Sequence, residues 1–587
     1  MRTAASTLLF AFALAAAPSG SVQDGSPVAE AARARDAAAA RALLRRGADV
    51  NAAQADGMTA LHWAARHGDA ALAKMLVYAG ANVRAVTRLG GYTPLHLASD
   101  SGRASVIAVL LDAGAPVNTR TSTGATALML AARSGDAASV AALLDGGADL
   151  NLTESAQGQT ALMFAAASDR SEAVRILLRR GADVSATSRV TDLTKVVAPE
   201  EKLQQEIRDA QNARSASASG RTATGGEAGP RGGSRPPGGD DEARDGGVPG
   251  VTRPFTYNEL IGRHGGLSAL HFAARQGAAE TVRALLEGGA DVNQASSADG
   301  MTPLLIATIN GHFDIARSLL ARGADPNQAT EGGVAPLYAA LNVQWAPRMF
   351  YPQPRAHLQQ QTTYLQLMEA LLAAGADPNQ RLTRKLWYTQ FNFDLLRIDD
   401  AGATPFWRAA YASDIEAMKL LVAHGADPGI PTIKPARSRE RQGGTRGADE
   451  SKDHSGLPPI PAGGPGIPPL LAAAGAGYGE GFAGNAHRFA PTGMLAAVKY
   501  LVDELGADVN AVDHDGNTAV HHAAARGDNA MILYLVSRGA DVKKVNRGGQ
   551  TTVDMANGPV QRIQPFPDTI KLLEGLGAKN NHKCVSC

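Results

Sequence analysis

The sequence predicts an all-α solenoid: stacked helix-turn-helix units with projecting loops, interrupted by disordered insertions. Three observations carry this expectation: a phrase that returns at a near-constant period, a second phrase that trails it at a fixed offset, and helix start and stop residues at matching places in both. "GMTALHWAARHGD" at 57–69 returns as "GYTPLHLASDSGR" at 91–103, "GATALMLAARSGD" at 124–136 and "GQTALMFAAASDR" at 158–170. Leu61, Leu95, Leu128 and Leu162 are 34, 33 and 34 residues apart. The trailing phrase reads "LLRRGADVN" from 43, "LLDAGAPVN" from 110, "LLDGGADLN" from 143 and "LLRRGADVS" from 177. Self-similarity at this period marks units that cannot bury their apolar faces alone and do so by stacking.

Each element follows from its residues. Thr59 stands where an N-cap hydroxyl meets free helix amides, and Pro94, Pro303, Pro336 and Pro405 take the next position, where a missing N–H costs nothing. Leu61, Ala64 and Ala65 make a short apolar stripe, with alanines that admit a close neighbour. The second helix carries paired leucines and closes at Gly47, Gly80, Gly114, Gly147 or Gly181, where positive φ is required. The "ADVN" that follows turns the chain outward toward the next unit.

Both phrases resume with "GGLSALHFAARQG" at 265 and "LLEGGADVN" at 285. They continue through "GMTPLLIATINGH" at 300, "GVAPLYAAL" at 333, "GATPFWRAAYAS" at 402, "GIPPLLAAAGAG" at 466, "GNTAVHHAAARGD" at 516 and "GQTTVDMANG" at 549. With a truncated first copy at about 26–51, this makes eleven or twelve units. The pattern resembles the ankyrin repeat. The resemblance implies a binding module that holds another protein on its concave surface and loop tips and catalyses nothing itself. It names no particular target, because repeats of this kind share a scaffold and not a ligand. The charged, alanine-rich first copy, and a final copy with Val553 and Asp554 in place of the usual leucine and histidine, are expected to be caps.

Composition bounds the function. The 57 Lys and Arg nearly cancel the 56 Asp and Glu among 587 residues, so whole-chain charge offers no argument for nucleic acid or an anionic membrane. After Met1 and Arg2, "TAASTLLFAFALAAA" and "PSGSVQDG" read as a secretory signal over residues 1–22, too short for a comfortable membrane span. No cysteine marks a lipoprotein cleavage point, and no later stretch is apolar enough to cross a bilayer. An exported protein, periplasmic or extracellular, is expected, and the Ala, Gly and Arg content points to a GC-rich bacterial gene.

The expected organisation is repeats over 26–188, a mostly disordered insertion over 189–264 and repeats over 265–430. A second disordered insertion follows over 431–465, then repeats over 466–578 and a tail over 579–587. The first insertion contains "PEEKLQQEIRDAQNA", a candidate short helix, followed by a stretch almost free of large apolar residues. Two other insertions are aromatic: "NVQWAPRMFYPQPRAHLQQQ" from 342 splits the two helices of one repeat, and "RLTRKLWYTQFNFDLLRIDD" from 381 lengthens the next loop. Eleven of the 28 Phe, Tyr and Trp residues lie between 345 and 411. Exposed aromatics are usual anchors of recognition surfaces, so Trp345, Met349, Phe350, Tyr351, Trp387, Tyr388 and Phe391 are the candidate partner-binding residues. The alternative is that the two insertions pack on each other as a local minicore.

Site chemistry is mostly absent. His62, His96, His271 and His521 occupy the fourth position of a "TPLH"-like phrase, where the resemblance implies hydrogen bonds to the turn and the neighbouring repeat. No acid or cysteine completes a tetrahedral metal set near them. "GAGYGEG" at 475–481 follows helix residues instead of a strand and lacks a Lys-Ser or Lys-Thr pair. H-E-x-x-H and G-x-S-x-G are absent, so no enzyme, cofactor or metal is expected.

Both cysteines, Cys584 and Cys587, stand in the tail "NNHKCVSC". Haem attachment requires C-x-x-C-H, and His582 precedes the pair. A zinc ion would find too few ligands, so in an oxidising compartment a Cys584–Cys587 disulfide or intermolecular links are expected on a mobile tail. The functional alternative to the scaffold is a cell-envelope redox or electron-transfer accessory protein using this C-x-x-C.

Overall fold

The computed structural model describes residues 26–195, 253, 255, 257–346, 355–386, 398–436, 453–477, 490–558 and 564–584. It divides into two compact units, residues 1–156 and 157–587. The candidate signal at 1–22 and the segment 199–213, "PEEKLQQEIRDAQNA", lie outside the described residues.

The first unit contains four helix pairs, each a leading and a trailing helix: Pro27–Arg33 with Ala37–Arg45, Ala60–His67 with Ala70–Tyr78, Pro94–Asp100 with Ala104–Asp112, and Ala127–Ser134 with Ala137–Asp145. The second contains eight. They begin with Ala161–Ala167 and Ser171–Arg179, Ala269–Gln276 and Ala279–Glu287, Pro303–Ile309 and Phe313–Ala321, and Pro336–Gln344 and Tyr364–Ala373. Then come Pro405–Tyr411 and Ile415–Ala423, Pro469–Ala473 and Met494–Lys499, Ala519–Ala524 and Asn529–Ser537, and Thr552–Ala556 and Pro567–Gly575. Twelve pairs among the described residues match the count read from the repeats.

Helices this short are unstable alone, so caps and stacking must hold them. Thr93, Thr126, Thr160, Thr302 and Thr404 each accept a backbone N–H at their helix starts, and Pro94, Pro303, Pro336 and Pro405 follow as N1 residues. Asp36, Asp69, Asp136, Asp414 and Asp528 cap the trailing helices in the same way. The closing glycines have φ of 83°, 87°, 78°, 85° and 90° at Gly47, Gly80, Gly114, Gly147 and Gly181. Leu61, Leu95, Leu128 and Leu162 are buried, and Ala64, Ala65, Ala131 and Ala132 are fully so, which lets adjacent leading helices pack closely.

Three backbone devices join successive repeats. The histidines supply the first. Thr59 N–H donates to His62 Nδ1 at 3.2 Å, which leaves the proton on Nε2, and Nε2 meets Tyr92 O at 3.0 Å. His96 repeats this with Thr93 and Thr119 O, and His271 with Ser268 and Met301 O. His521 makes the contact with Thr518. Trp407 holds the same position in its helix and donates its indole N–H to Ile467 O at 2.8 Å.

The second device is the Asn of "ADVN", a function not read from the sequence. Asn293 Nδ2 donates to Gly323 O at 3.1 Å while its Oδ1 accepts from Asp325 N at 2.8 Å. Asn51, Asn118, Asn327, Asn379 and Asn510 clamp their next repeats alike. The third is a single bond between loop tips. It joins Arg88 N to Asp56 O at 2.8 Å and Ser122 N to Gly90 O at 2.9 Å in the first unit, and Glu331 N to Asp299 O at 2.8 Å and Arg547 N to Asp515 O at 2.9 Å in the second. A Cβ on Gly57 would come within 2.7 Å of the Arg88 nitrogen, so glycine is required for that approach as well as for its φ of 86°.

One trailing helix departs from the pattern. After Met494–Lys499 the chain continues as a π-helical turn, Tyr500–Glu504. "LVDELGADVN" is one residue longer than "LVSRGADVK", and a π turn absorbs that residue without shifting the register of the repeat.

The insertions are more ordered at their edges than expected. In the first, a strand β1 (Val190–Asp192) pairs antiparallel with β2 (Arg263–Gly265), in the register Thr191 to His264. Helix Ala161–Ala167 therefore packs directly on Ala269–Gln276, and the stack crosses the insertion without a break. In the second, residues 453–465 are anchored. Arg547 donates to His514 O at 3.0 Å and Pro458 O at 2.6 Å and pairs with Asp453, while Lys434 N donates to Gly464 O at 2.8 Å. Composition could not report this, because the anchors come from Arg547, far along the chain.

The segment expected to be a mobile tail is docked through Lys583. Asp554 takes the histidine position of the last helix pair, and its carboxylate accepts from Asn581 N at 3.1 Å, while Asn581 Nδ2 donates to Gly549 O and Gln550 Nε2 to Lys583 O. Losing the histidine thus exchanges a donor for an acceptor. Cys584 is disulfide-bonded, and Cys587 lies outside the described residues.

Two outcomes follow. Burial lowers the pKa of His62, His271 and His521 to about 4 from an ordinary 6.5. The folded value lies below the unfolded one, so their contribution is complete above about pH 6.5 and is lost as pH falls toward 4, on the order of 3 kcal/mol for the almost fully buried His271. The melting temperature should be level near pH 7–8 and fall over that window, less steeply in His271→Gln. Replacing Asn293 by Ala removes two inter-repeat bonds and should cost roughly 1–2 kcal/mol, read as a lower urea midpoint.

Candidate partner-binding surface

The two aromatic insertions interrupt adjacent repeats of the second unit, and one buried polar cluster holds their roots. Trp345 ends the helix Pro336–Gln344 and is 9% exposed. Its indole N–H donates to Asp414 Oδ2 at 2.8 Å, the Tyr364 hydroxyl donates to the same oxygen at 2.8 Å, and the two rings meet edge to face with centroids 6.1 Å apart. Asp414 Oδ1 caps the helix Ile415–Ala423 by accepting from Ala417 N at 3.1 Å. One carboxylate therefore ties a helix N-terminus to both sides of the first insertion.

Arg408 lies beside this carboxylate, almost fully buried. Its Nε donates to Asn342 Oδ1 at 2.9 Å and its Nη2 to Trp345 O at 2.8 Å, while Nη1 has no hydrogen-bond partner. The guanidinium carbon is 5.9 Å from the centroid of Tyr411, whose ring stacks on Trp407. Burial pulls the Arg408 pKa below its ordinary value, and the nearby Tyr338, Tyr411, Asp400 and Asp414 oppose that shift. Asp400 marks the root of the second insertion: it accepts from Leu386 N at 3.1 Å and from the Tyr338 hydroxyl at 3.4 Å. Burial, then the neighbouring Asp399, pushes its pKa up to about 6. Leu382 and Ala403 complete the closure, with Leu382 N donating to Ala403 O at 3.0 Å.

Of the candidate binding residues, Trp345 is a buried side chain held by Asp414 and Tyr364 of the repeats themselves. Met349, Phe350, Tyr351, Trp387, Tyr388 and Phe391 lie outside the described residues. Asn342, Arg408 and Asp414 were not singled out from the sequence. Asp414 was available to it, because it falls where Asp69, Asp136 and Asp528 fall in their repeats; Arg408 was not, because an arginine on a short alanine-rich helix reads as exposed.

Among the described residues no group of three or more His, Cys, Asp or Glu is placed to hold a metal ion, and no helix is long and apolar enough to cross a membrane. His522 and Asp513 meet at 3.2 Å, both buried, with Asp513 also accepting from Asn517 N at 2.9 Å, which makes the pair a brace inside its repeat. Replacing Asp414 by Ala would leave the Trp345 N–H, the Tyr364 hydroxyl and a helix end unpaired. The expected loss is roughly 2–4 kcal/mol, measured by denaturant unfolding, with Asp414→Asn intermediate.

Comparison with known proteins agrees with this geometry. Family models described as ankyrin repeats match residues 28–121, 114–188 and 253–330, others match 486–536 and 401–433, and together they span more than half of the chain. Diacylglycerol kinase zeta of Rattus norvegicus is 33% identical over 84 residues, 14% of this chain and 8% of its own length. The ankyrin repeat and LEM domain-containing protein 1 homolog of Caenorhabditis elegans is 41% identical over 60 residues, 10% of this chain and 8% of its own. The chain thus spans less than a tenth of the length of these two relatives. Periodic sequence, helix pairs and family models agree: the chain belongs to the ankyrin repeat family, whose members are protein–protein interaction scaffolds.

Proposed function

We propose that this protein is a non-catalytic scaffold that binds a partner protein through its concave face and its aromatic insertion loops. The observation that carries the reading is the shared root of the two insertions. A helical repeat needs neither the residues 347–354 nor 387–397, yet the chain invests Asp414, Arg408, Asn342 and Asp400 in fixing both points of departure. A loop whose ends are held rigidly loses less entropy on binding, which is how scaffolds present recognition segments. The sequence of those loops, with Phe350, Tyr351, Trp387, Tyr388 and Phe391, has the aromatic content of interface hot spots.

The charged start, apolar run and small-residue zone of residues 1–22 support export, and the scaffold would then act in the periplasm or outside the cell.

The test is affinity capture from the native envelope fraction with the full chain and with the double variant Trp387→Ala and Phe350→Ala. Capture should be lost with a nearly unchanged melting temperature. A collapse in stability would assign these aromatics to a minicore, and undiminished capture would remove the loops from the interface.

A further inference from the structure

Around the ends of the first three leading helices of the first unit, Arg33, Arg66 and an imidazole flank one indole, and Arg35 and Arg103 lie near that imidazole. Trp63 is partly exposed, and its N–H donates to Gln54 Oε1 at 2.7 Å, which fixes the ring. Arg33 and Arg66 place their guanidinium carbons 5.8 and 5.7 Å from the ring centroid, and the His67 ring lies 5.6 Å away. The Arg103 side chain packs against Gly68, where a Cβ would meet its Cδ at 2.7 Å. His67 senses the gathering: burial, then Arg35, Arg66 and Arg103, lower its pKa.

The carboxylates nearby are already engaged. Asp36 and Asp69 cap the helices Ala37–Arg45 and Ala70–Tyr78, accepting from Ala39 N and Leu72 N at 2.8 Å. Asp100 pairs with Arg133 at 2.5 Å, and Asp136 caps its helix at Ser139. Glu30 serves Arg33 and Gln54. Arg35, Arg66 and Arg103 are exposed, and none has a carboxylate within ion-pair distance among the described residues. Arg66, already held over the Trp63 ring, loses little freedom on pairing, and the planar forks of all three suit carboxylates.

We propose that this surface receives an acidic segment of the partner protein, with carboxylates on Arg35, Arg66 and Arg103 and an apolar side chain on the exposed face of Trp63. The inference rests on the scaffold reading and gives the partner a chemistry. A nucleic acid fits less well: residues 26–156 contain 12 Lys and Arg against 11 Asp and Glu, so the patch is local and no extended basic track runs from it.

The test uses the full chain and a fluorescein-labelled glutamate-rich peptide followed by anisotropy, with the glutamine counterpart and a single-stranded oligonucleotide of equal charge as comparisons. The acidic peptide should bind, more weakly as salt rises, and the glutamine peptide should not. The double variant Arg66→Glu and Arg103→Glu should lose at least about tenfold in affinity, and Arg66→Gln with Arg103→Gln should show a smaller loss at an unchanged melting temperature. Equal binding of the glutamine peptide, tighter binding of the oligonucleotide, or undiminished affinity of both variants would overturn the proposal. If the Glu variant still captures the native partner, the scaffold stands and this surface does not; if the unaltered chain captures nothing, the scaffold reading itself fails.

Discussion

A helix of seven or eight residues leaves half of its backbone groups without an internal partner, and the architecture follows from where those groups find one. At the start of many leading helices a threonine hydroxyl takes one amide, and in several the side chain three residues on reaches across to the next repeat. In His62, His96 and His271 the imidazole does both at once: one nitrogen accepts from its own turn and the other donates to a carbonyl about 23–30 residues ahead. Local and inter-repeat order are thereby joined in one side chain. Protonation would put a second N–H against a backbone donor, so the neutral ring is built into the fold.

The aromatic insertions show what happens when this regularity is suspended. The helix Pro405–Tyr411 keeps its close-packing alanines, Ala409 and Ala410, and carries Phe406, Trp407, Arg408 and Tyr411 around them, all buried. Asn342 and the Trp345 carbonyl hold the buried Arg408, while the Asp414 carboxylate beside it joins a helix cap to two aromatic donors from the preceding repeat. Arg408 remains incompletely bonded. An arginine held out of water without a direct carboxylate partner is expensive, and such a residue persists where its position matters more than its energy.

The period, the caps, the closing glycines and the histidine bridges were legible because each is fixed by chemistry within a few residues and repeated along the chain. The asparagine clamp was visible as a recurring letter, but its task was not, because the atoms it bonds belong to the next repeat. The strand pair β1–β2 and the anchoring of residues 453–465 were illegible for a related reason. Both depend on partners 70 or more residues away, such as Val190 with Gly265 and Asp453 with Arg547, and composition counts only what is local. Trp345 shows the limit for side chains: an insertion rich in aromatics reads as exposed until the carboxylate that buries one of them is known.

The exchange at Asp554 gives the stack a grammar. His62, His96 and His271 each donate to a carbonyl of the following repeat, whereas Asp554 asks for an amide and receives it from Asn581. Repeats of the first kind can be duplicated or deleted among themselves with their joints intact. A copy spliced in behind Asp554 would present the wrong sign at the junction, so that joint accepts only a segment that brings an amide to the carboxylate.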